Sequence, residues 1–347
     1  SLVVNATKDL AKILKKGDLI IFESTFYPGT INDELIPILE NKSKLKFKTD
    51  FYVGYSPERI NPGDKIHTFD NVKKIIAADD NFSRKMIKKI YGKIVKAGVY
   101  EASSIKVAEL SKLLENTQRF INIALINEIS SLCHKMKLQT KEVVDVASTK
   151  WNFMKFLPGF VGGHCVAVDP LYLSYKQRKL GLSSKLINIS EKINNNKHKQ
   201  VAKIIKNNLE TLKKKKILIL GATFKENCPD IRNSGSLDLI KALNKEGNTP
   251  NLHDPYFNKK LINKKENLKF KYIYNLKPLN YDCIIIAVGH DYYKKLGIDP
   301  KNVVNPYKKN KLYDLHSIWD DQEELLPPPP STLGLADRKA REFMVFE

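Results

Sequence analysis

Short apolar runs that end in polar turns bearing glycine or proline, and that alternate with helical stretches, constrain this chain more than anything else in it. Leu19-Ile-Ile-Phe22 follows a helical pattern over residues 7–16 closed by Gly17, and leads into Glu23-Ser-Thr25-Phe-Tyr-Pro-Gly-Thr30. Phe51–Tyr55 ends in Ser56-Pro-Glu58-Arg59. Lys216–Gly221 opens a polar stretch to Ser234, where a further helix begins, and Asp282–Gly289 repeats the strand pattern. Brief apolar runs of this kind read as buried strands, and their alternation with helices predicts an α/β architecture. Ligands of open α/β sheets gather at the carboxyl ends of strands, so the polar turns mark where a site belongs.

Between these units lies a stretch from Ser103-Ser104 with no glycine or proline until well past residue 135. It predicts one helix of roughly 30 residues, about 45 Å long at 1.5 Å per residue. Helices of that length join domains or pair subunits. Lys112, Asn116 and Arg119 fall on adjoining faces of it, and spacing alone leaves a solvated face and a site equally open. In the second half, Pro158-Gly-Phe-Val-Gly-Gly-His-Cys165-Val-Ala-Val-Asp169-Pro170 sets one cysteine on a glycine-flanked turn, with a carboxylate four residues on. A lone cysteine is more often a small buried hydrophobe than a nucleophile. Three glycines in five residues (159, 162 and 163) let a backbone approach a ligand closely, and that points to the nucleophile.

The formal net charge of +21 invites a nucleic-acid reading. The lysines are spread along the whole chain without an aromatic RNA-binding signature or zinc-finger spacing, so the expectation is a diffuse field that draws in anionic small molecules. No 18-residue apolar run predicts a membrane span. The four cysteines (133, 165, 228, 283) form no Cys-x-x-Cys pair, and Ser1–Asn5 lacks the charged and apolar regions of a secretory signal. Both observations lead to the expectation of reduced thiols, no metal site and a cytoplasmic location.

Taken together, these motifs make the chain resemble the UDP-glucose/GDP-mannose dehydrogenase family of nucleotide-sugar 6-dehydrogenases, from about residue 1 to 320. The matches are Glu-Ser-Thr with Pro-Gly-Thr at 23–30, Ser-Pro-Glu-Arg at 56–59, Ala-Glu-Leu-Ser-Lys-Leu-Leu-Glu-Asn-Thr-Gln-Arg at 108–119 and Asn-Ile-Ala-Leu-Ile-Asn-Glu at 122–128. Gly-Gly-His-Cys with Val-Asp-Pro falls within 162–170, and Phe-Lys-Glu-Asn with Asp-Ile-Arg-Asn-Ser within 224–234. His164 and Val168 make the cysteine motif most like the branch acting on UDP-N-acetylglucosamine or UDP-N-acetylgalactosamine, with UDP-glucose as the alternative.

The resemblance implies two Rossmann-like domains joined by the long helix, with NAD as cofactor and a UDP-sugar as substrate. It implies a four-electron oxidation of the C6 alcohol through a Cys165 thiohemiacetal and thioester, for surface polysaccharide synthesis. Lys112 and Asn116 then stabilise oxyanions, Asp169 and Glu58 handle water and protons, and Thr25 lies near the cofactor. Substrate binding falls to Glu58, Arg59, Lys112, Asn116, Phe156, Leu157, Pro158, Gly162 and Lys225, and the NAD phosphates to Arg232. The expected division is an NAD-binding domain at 1–102, a central dimerisation and catalytic domain at 103–205, a UDP-sugar domain at 206–322 and a proline-rich, disordered or foreign tail at 323–347. The long helix carries the expectation of a homodimer.

Relatives open with a strand and a Gly-x-Gly-x-x-Gly turn that cradles the NAD pyrophosphate. No Gly-x-Gly occurs in this sequence. By that comparison the N-terminal domain is truncated, and the expectation is that the chain binds a UDP-sugar through its second unit and NAD weakly. The alternative is an inactive nucleotide-sugar-binding fragment in which Cys165 is idle.

Overall fold

The computed structural model describes residues 2–61, 64, 66–257, 267–276, 281–295 and 311–314. The proline-rich tail at 323–347 lies outside them. Two compact units result: residues 1–119 with 168–187, and residues 120–167 with 188 onward.

In the first unit α1 (Leu2–Ile13) precedes β1 (Leu19–Phe22), a π-helical turn at Ile31–Leu35 runs into α2 (Ile36–Ser43), and β2 (Tyr52–Tyr55), β3 (Lys74–Ala78), α3 (Asn81–Ile94) and β4 (Val99–Glu101) follow. The sheet order is β1-β2-β3-β4. β1 pairs parallel to β2, and β3 parallel to β4 across the α3 crossover. β2 and β3 run antiparallel, with Gly54 opposite Ala78, which strand and helix alternation alone does not foretell. No helix lies between β2 and β3 among the described residues, so nothing carries the chain back to the start of the sheet for a parallel return. β3 is buried along its whole length, yet begins with Lys74 and so escapes an apolar-run search. The core packs Ile31, Leu35, Leu39, Phe51, Val53 and Tyr55 against Ile105 and Ala108.

Helix α4 (Ile105–Met136) has 32 residues, as its uninterrupted sequence predicts. Its residues to Arg119 belong to the first unit and those from Phe120 to the second. α5 (Thr140–Ser148), α6 (Asp169–Lys179) and α7 (Lys185–Leu209) follow. Pro170 sits in the first turn of α6, where its missing N–H has no intrahelical partner to lose.

The second unit's sheet comprises β5 (Ile217–Leu220), β6 (Asn251–His253), β7 (Lys271–Tyr272), β8 (Cys283–Ile286) and β9 (Lys311–Asp314), ordered β7-β6-β5-β8-β9 and parallel throughout. β5 and β8 are buried at every residue, the expected signature of a sheet covered on both faces. α8 (Gly235–Lys245) begins where Ser234 accepts the Leu237 N–H as an N-cap, and α9 (Asp291–Lys295) follows β8. No helix among the described residues is long and apolar enough to cross a membrane.

Candidate active site

The first unit gathers a buried polar face on α4. Glu109, Lys112 and Asn116, spaced three and four residues apart, are 0%, 7% and 7% exposed, whereas Arg119 is exposed. Asn116 donates a 2.6 Å hydrogen bond to Asp169, which α6 carries at its first residue and buries. The structure therefore pairs two of the residues expected to act together. Tyr55 lies fully buried beside Glu109 and Asp169, and burial with those two carboxylates pushes its phenol far up.

Glu109 was not among the expected site residues, although a carboxylate three residues before Lys112 on the same helix face is a usable signal. Both its oxygens accept backbone N–H groups of the Pro28-Gly29-Thr30 turn, Gly29 at 2.6 Å and Ile31 at 3.1 Å. Gly29 has φ +92°, a left-handed conformation that glycine adopts at little cost, so carboxylate and glycine together set the turn. Burial raises Glu109 to about 7 against the pull of the two N–H donors. A carboxyl raised from 4.5 in the unfolded chain to about 7 in the folded one contributes stability that is fully present below 4.5 and lost as pH rises to 7. The loss is on the order of 3 kcal/mol. Glu109→Gln removes that titration and leaves one N–H without an acceptor. Its stability deficit relative to wild type is therefore expected to shrink between pH 4.5 and 7.5, as read by urea unfolding across that range; a constant deficit would refute the assignment.

At the carboxyl ends of β1 and β2 a second charged group forms. Lys74, 3% exposed, bridges Glu58 at 3.2 Å and Glu23 at 3.5 Å, and Tyr91 donates to Glu23 at 2.6 Å. Burial works against an ionised Glu58, but the Ile60 N–H, Lys74 and the Arg59 N–H outweigh it and hold the carboxyl below its usual range. Arg59 forks onto Glu115, with its closer contact at 2.8 Å. Thr25 is half-buried at the end of β1.

In the second unit, the loop carrying Cys165 is pinned twice. Asn127 on α4 accepts the Gly159 N–H and donates to the Gly159 carbonyl, both at 3.0 Å, and is itself tied to Asn194 on α7. Four residues on, the Gly163 N–H donates to the Arg232 carbonyl at 3.0 Å, and Asn233 Nδ2 donates to the Gly163 carbonyl at 2.8 Å. Cys165 is the exposed one of the four cysteines; 133, 228 and 283 are buried. Phe156, Leu157 and Gly162 are half-buried and Pro158 buried.

The glycines work differently from the expectation. A Cβ on Gly162 would lie 2.7 Å from the Asn233 carbonyl oxygen, and one on Gly163 2.5 Å from the Phe224 ring. Both permit close approach to the chain's own 224–234 loop, and a Cβ on Gly159 would meet nothing within 4 Å. Within that loop the resemblance places Lys225 at the UDP-sugar and Arg232 at the NAD phosphates. Asp230 and Arg232 clasp each other, with the shortest contact at 2.6 Å, and this bond, more than Asp230's charge or the nearby Cys165 and Cys228, raises the guanidinium's affinity for its proton. Lys225 is half-buried in the same loop, with its ammonium 5.8 Å from the Phe224 ring centre. Asp254 and His290, fully buried behind it, were not anticipated, because each stands alone in the sequence. No group of three His, Cys, Asp or Glu among the described residues is placed to hold a metal.

Two α/β units with polar loops at their strand ends, one of them beside a pinned thiol loop, are the architecture of a nucleotide-binding oxidoreductase. The chain belongs to the UDP-glucose/GDP-mannose dehydrogenase family: that family's NAD binding domain matches residues 1–95, its central domain 106–196 and its UDP binding domain 218–321. It is similar to the UDP-N-acetyl-D-glucosamine 6-dehydrogenases of Salmonella typhi (40% identical over 323 residues, 91% of this chain and 75% of that protein) and Pseudomonas aeruginosa (38% over 335 residues, 92% and 76%). Among solved structures it resembles the UDP-N-acetyl-mannosamine dehydrogenase Cap5O of Staphylococcus aureus (28% identical, TM-score 0.77, 91% and 72% covered). It is thus an oxidoreductase of the UDP-sugar dehydrogenase type, with NAD as cofactor. The turn after β1 offers the hydroxyls of exposed Ser24 and half-buried Thr25, at a strand's carboxyl end where such cofactors gather, to polar groups of NAD.

Proposed function

We propose that this protein oxidises the C6 primary alcohol of a UDP-N-acetylhexosamine to the uronate, through a covalent adduct on Cys165, in the synthesis of surface polysaccharide. The observation that carries this reading is the exposed Cys165 thiol at the end of a loop fixed at both Gly159 and Gly163. Relatives named for UDP-N-acetyl-D-glucosamine and UDP-N-acetyl-mannosamine support the substrate class, as do His164 and Val168 within the cysteine motif.

NAD supplies the hydride acceptor when bound. The alcohol first loses a hydride and a proton to become an aldehyde, and the Cys165 sulfur then adds to the aldehyde carbon as a thiohemiacetal. Loss of a second hydride and a proton leaves a thioester on Cys165. Water attacks that carbonyl, the carbon–sulfur bond breaks, and uronate leaves with the thiol restored. The covalent bond keeps a reactive aldehyde from escaping between the two oxidations.

Each remaining role rests on the family resemblance together with the local geometry. Lys112, a cation buried on α4, and Asn116, oriented by Asp169, serve as oxyanion donors. Asp169 orients the attacking water and takes its proton. Glu58 shares the handling of water and protons and meets the substrate beside Arg59, and Thr25 stands near the cofactor. Lys225 and the stretch Phe156, Leu157, Pro158 and Gly162 bind the UDP-sugar, and Arg232 the cofactor phosphates. The domains at 1–102, 103–205 and 206–322 divide the work as cofactor, central and UDP-sugar domains. Leu125, Leu132 and Met136, all more than half exposed at helical spacing on α4, support a homodimer through that helix.

Selective alkylation tests the thiol's part. Iodoacetamide is expected to modify Cys165 alone in the folded protein and to be slowed several-fold by UDP-N-acetylglucosamine or UDP-N-acetylgalactosamine. Equal labelling with and without nucleotide sugar would sink the assignment.

A further inference from the structure

In the second unit's sheet the strand order reverses between β5 and β8, and the crevice of a doubly wound sheet opens at such a reversal. Loops leaving three strands meet behind it. Thr223 follows β5, Asp254 follows β6 and His290 follows β8, each no more than 1% exposed. The Asn227 N–H donates to His290 Nδ1 at 2.9 Å, so that nitrogen carries no proton. The proton therefore sits on Nε2, which faces Asp254 Oδ2 at 3.0 Å and Thr223 Oγ1 at 3.2 Å. Thr223 agrees with this tautomer: its single hydroxyl hydrogen goes to the Lys225 carbonyl at 3.0 Å, leaving it only an acceptor toward the imidazole.

Asp254 anchors the ring and the loop at once. Its carboxylate also accepts the N–H groups of Ala222 at 2.6 Å, Thr223 at 3.0 Å and Tyr256 at 2.7 Å. Asn227 is in the left-handed region at φ +54° and exchanges two hydrogen bonds with Asp291, at 2.9 and 3.1 Å. The contacts of His290, and the Asp254 bond to the Thr223 N–H, thus bear on the five residues Thr223–Asn227, with Lys225 at their centre. A buried carboxylate costs free energy even when fully bonded, and an apolar residue would close this end of the sheet more cheaply. What the polar network adds is one fixed loop conformation.

We propose that His290 is a positioning residue for nucleotide-sugar binding: anchored on Asp254, its imidazole holds the Thr223–Asn227 loop in the conformation that presents Lys225 to the UDP moiety. This rests on the reading of Lys225 as a UDP-sugar ligand and adds the group that makes its loop competent.

Two amide substitutions separate the ring's two nitrogens. In His290→Asn the amide oxygen falls near the place of Nδ1 and keeps an acceptor for the Asn227 N–H. In His290→Gln the amide reaches the place of Nε2, keeps the donor to Asp254, and strands the Asn227 N–H. Calorimetric titration of the full chain with UDP is the readout, alongside thermal unfolding. His290→Asn is expected to bind UDP within about threefold of wild type and His290→Gln about tenfold more weakly, since a stranded, partly buried donor costs roughly that factor. Both variants are expected to lose similar thermal stability. Equal UDP affinities in the two variants, or losses that simply track their melting temperatures, would overturn the proposal. Lys225→Ala binding UDP as wild type does would instead remove the Lys225 reading, and the proposal with it.

Discussion

Replacing Cys165 with serine is expected to lower kcat for uronate formation by about a thousandfold or more, with thermal unfolding unchanged. The size follows from losing a covalent nucleophile, since a serine hydroxyl, far less acidic than a thiol, attacks an aldehyde poorly and leaves slowly as an ester. Stability is spared because the side chain is exposed and the loop is held through backbone atoms of Gly159 and Gly163 rather than through the thiol. Product analysis by mass spectrometry checks it: wild-type yield of uronate from Cys165→Ser would remove the thiol from the reaction.

A second large effect is structural. Gly163→Ala is expected to destabilise the second unit by about 2–4 kcal/mol, adding left-handed strain to overpacking against the Phe224 ring. The residue has φ +76°, and three atoms of that ring crowd the new methyl group at 2.5, 2.6 and 3.0 Å. Relief requires the 159–165 and 224–234 loops to part, breaking the Gly163 bonds to Arg232 and Asn233 and freeing Cys165 from its fixed position. Gly159→Ala is the matched control: nothing lies within 4 Å of the added carbon, so its cost should stay below about 1 kcal/mol. Denaturant unfolding of the pair measures the difference, and equal stabilities would refute the clasp between the two loops.

Strands β1, β2, β5 and β8, helix α4 and the Ser234 cap were legible because each announces itself locally, by an apolar run, an uninterrupted helical stretch or a capping residue. β3 was not, since its leading Lys74 is buried by two carboxylates that lie 16 and 51 residues away in the chain. The antiparallel turn of the first sheet was equally hidden, because it depends on a connection with no helix among its described residues. At the site, motifs identified the residue types but not their partners. Glycines 162 and 163 looked like room for a ligand and proved to be room for Phe224 and Asn233, a distinction that belongs to tertiary contact. Arg232's bond to Asp230, two residues away, is likewise absent from the motif that marked the arginine. Glu109, Asp254 and His290 act through backbone N–H groups of distant loops, which no local spacing encodes.

The most direct test counts cofactor. With a panel of UDP-sugars supplied in limiting amount, NADH formed is followed by absorbance until the substrate is exhausted, and the product is weighed by mass spectrometry. Two NADH per UDP-N-acetylhexosamine, with uronate as the product, are expected if Cys165 holds the aldehyde between two oxidations. One NADH per sugar, with free aldehyde released, would contradict the covalent route.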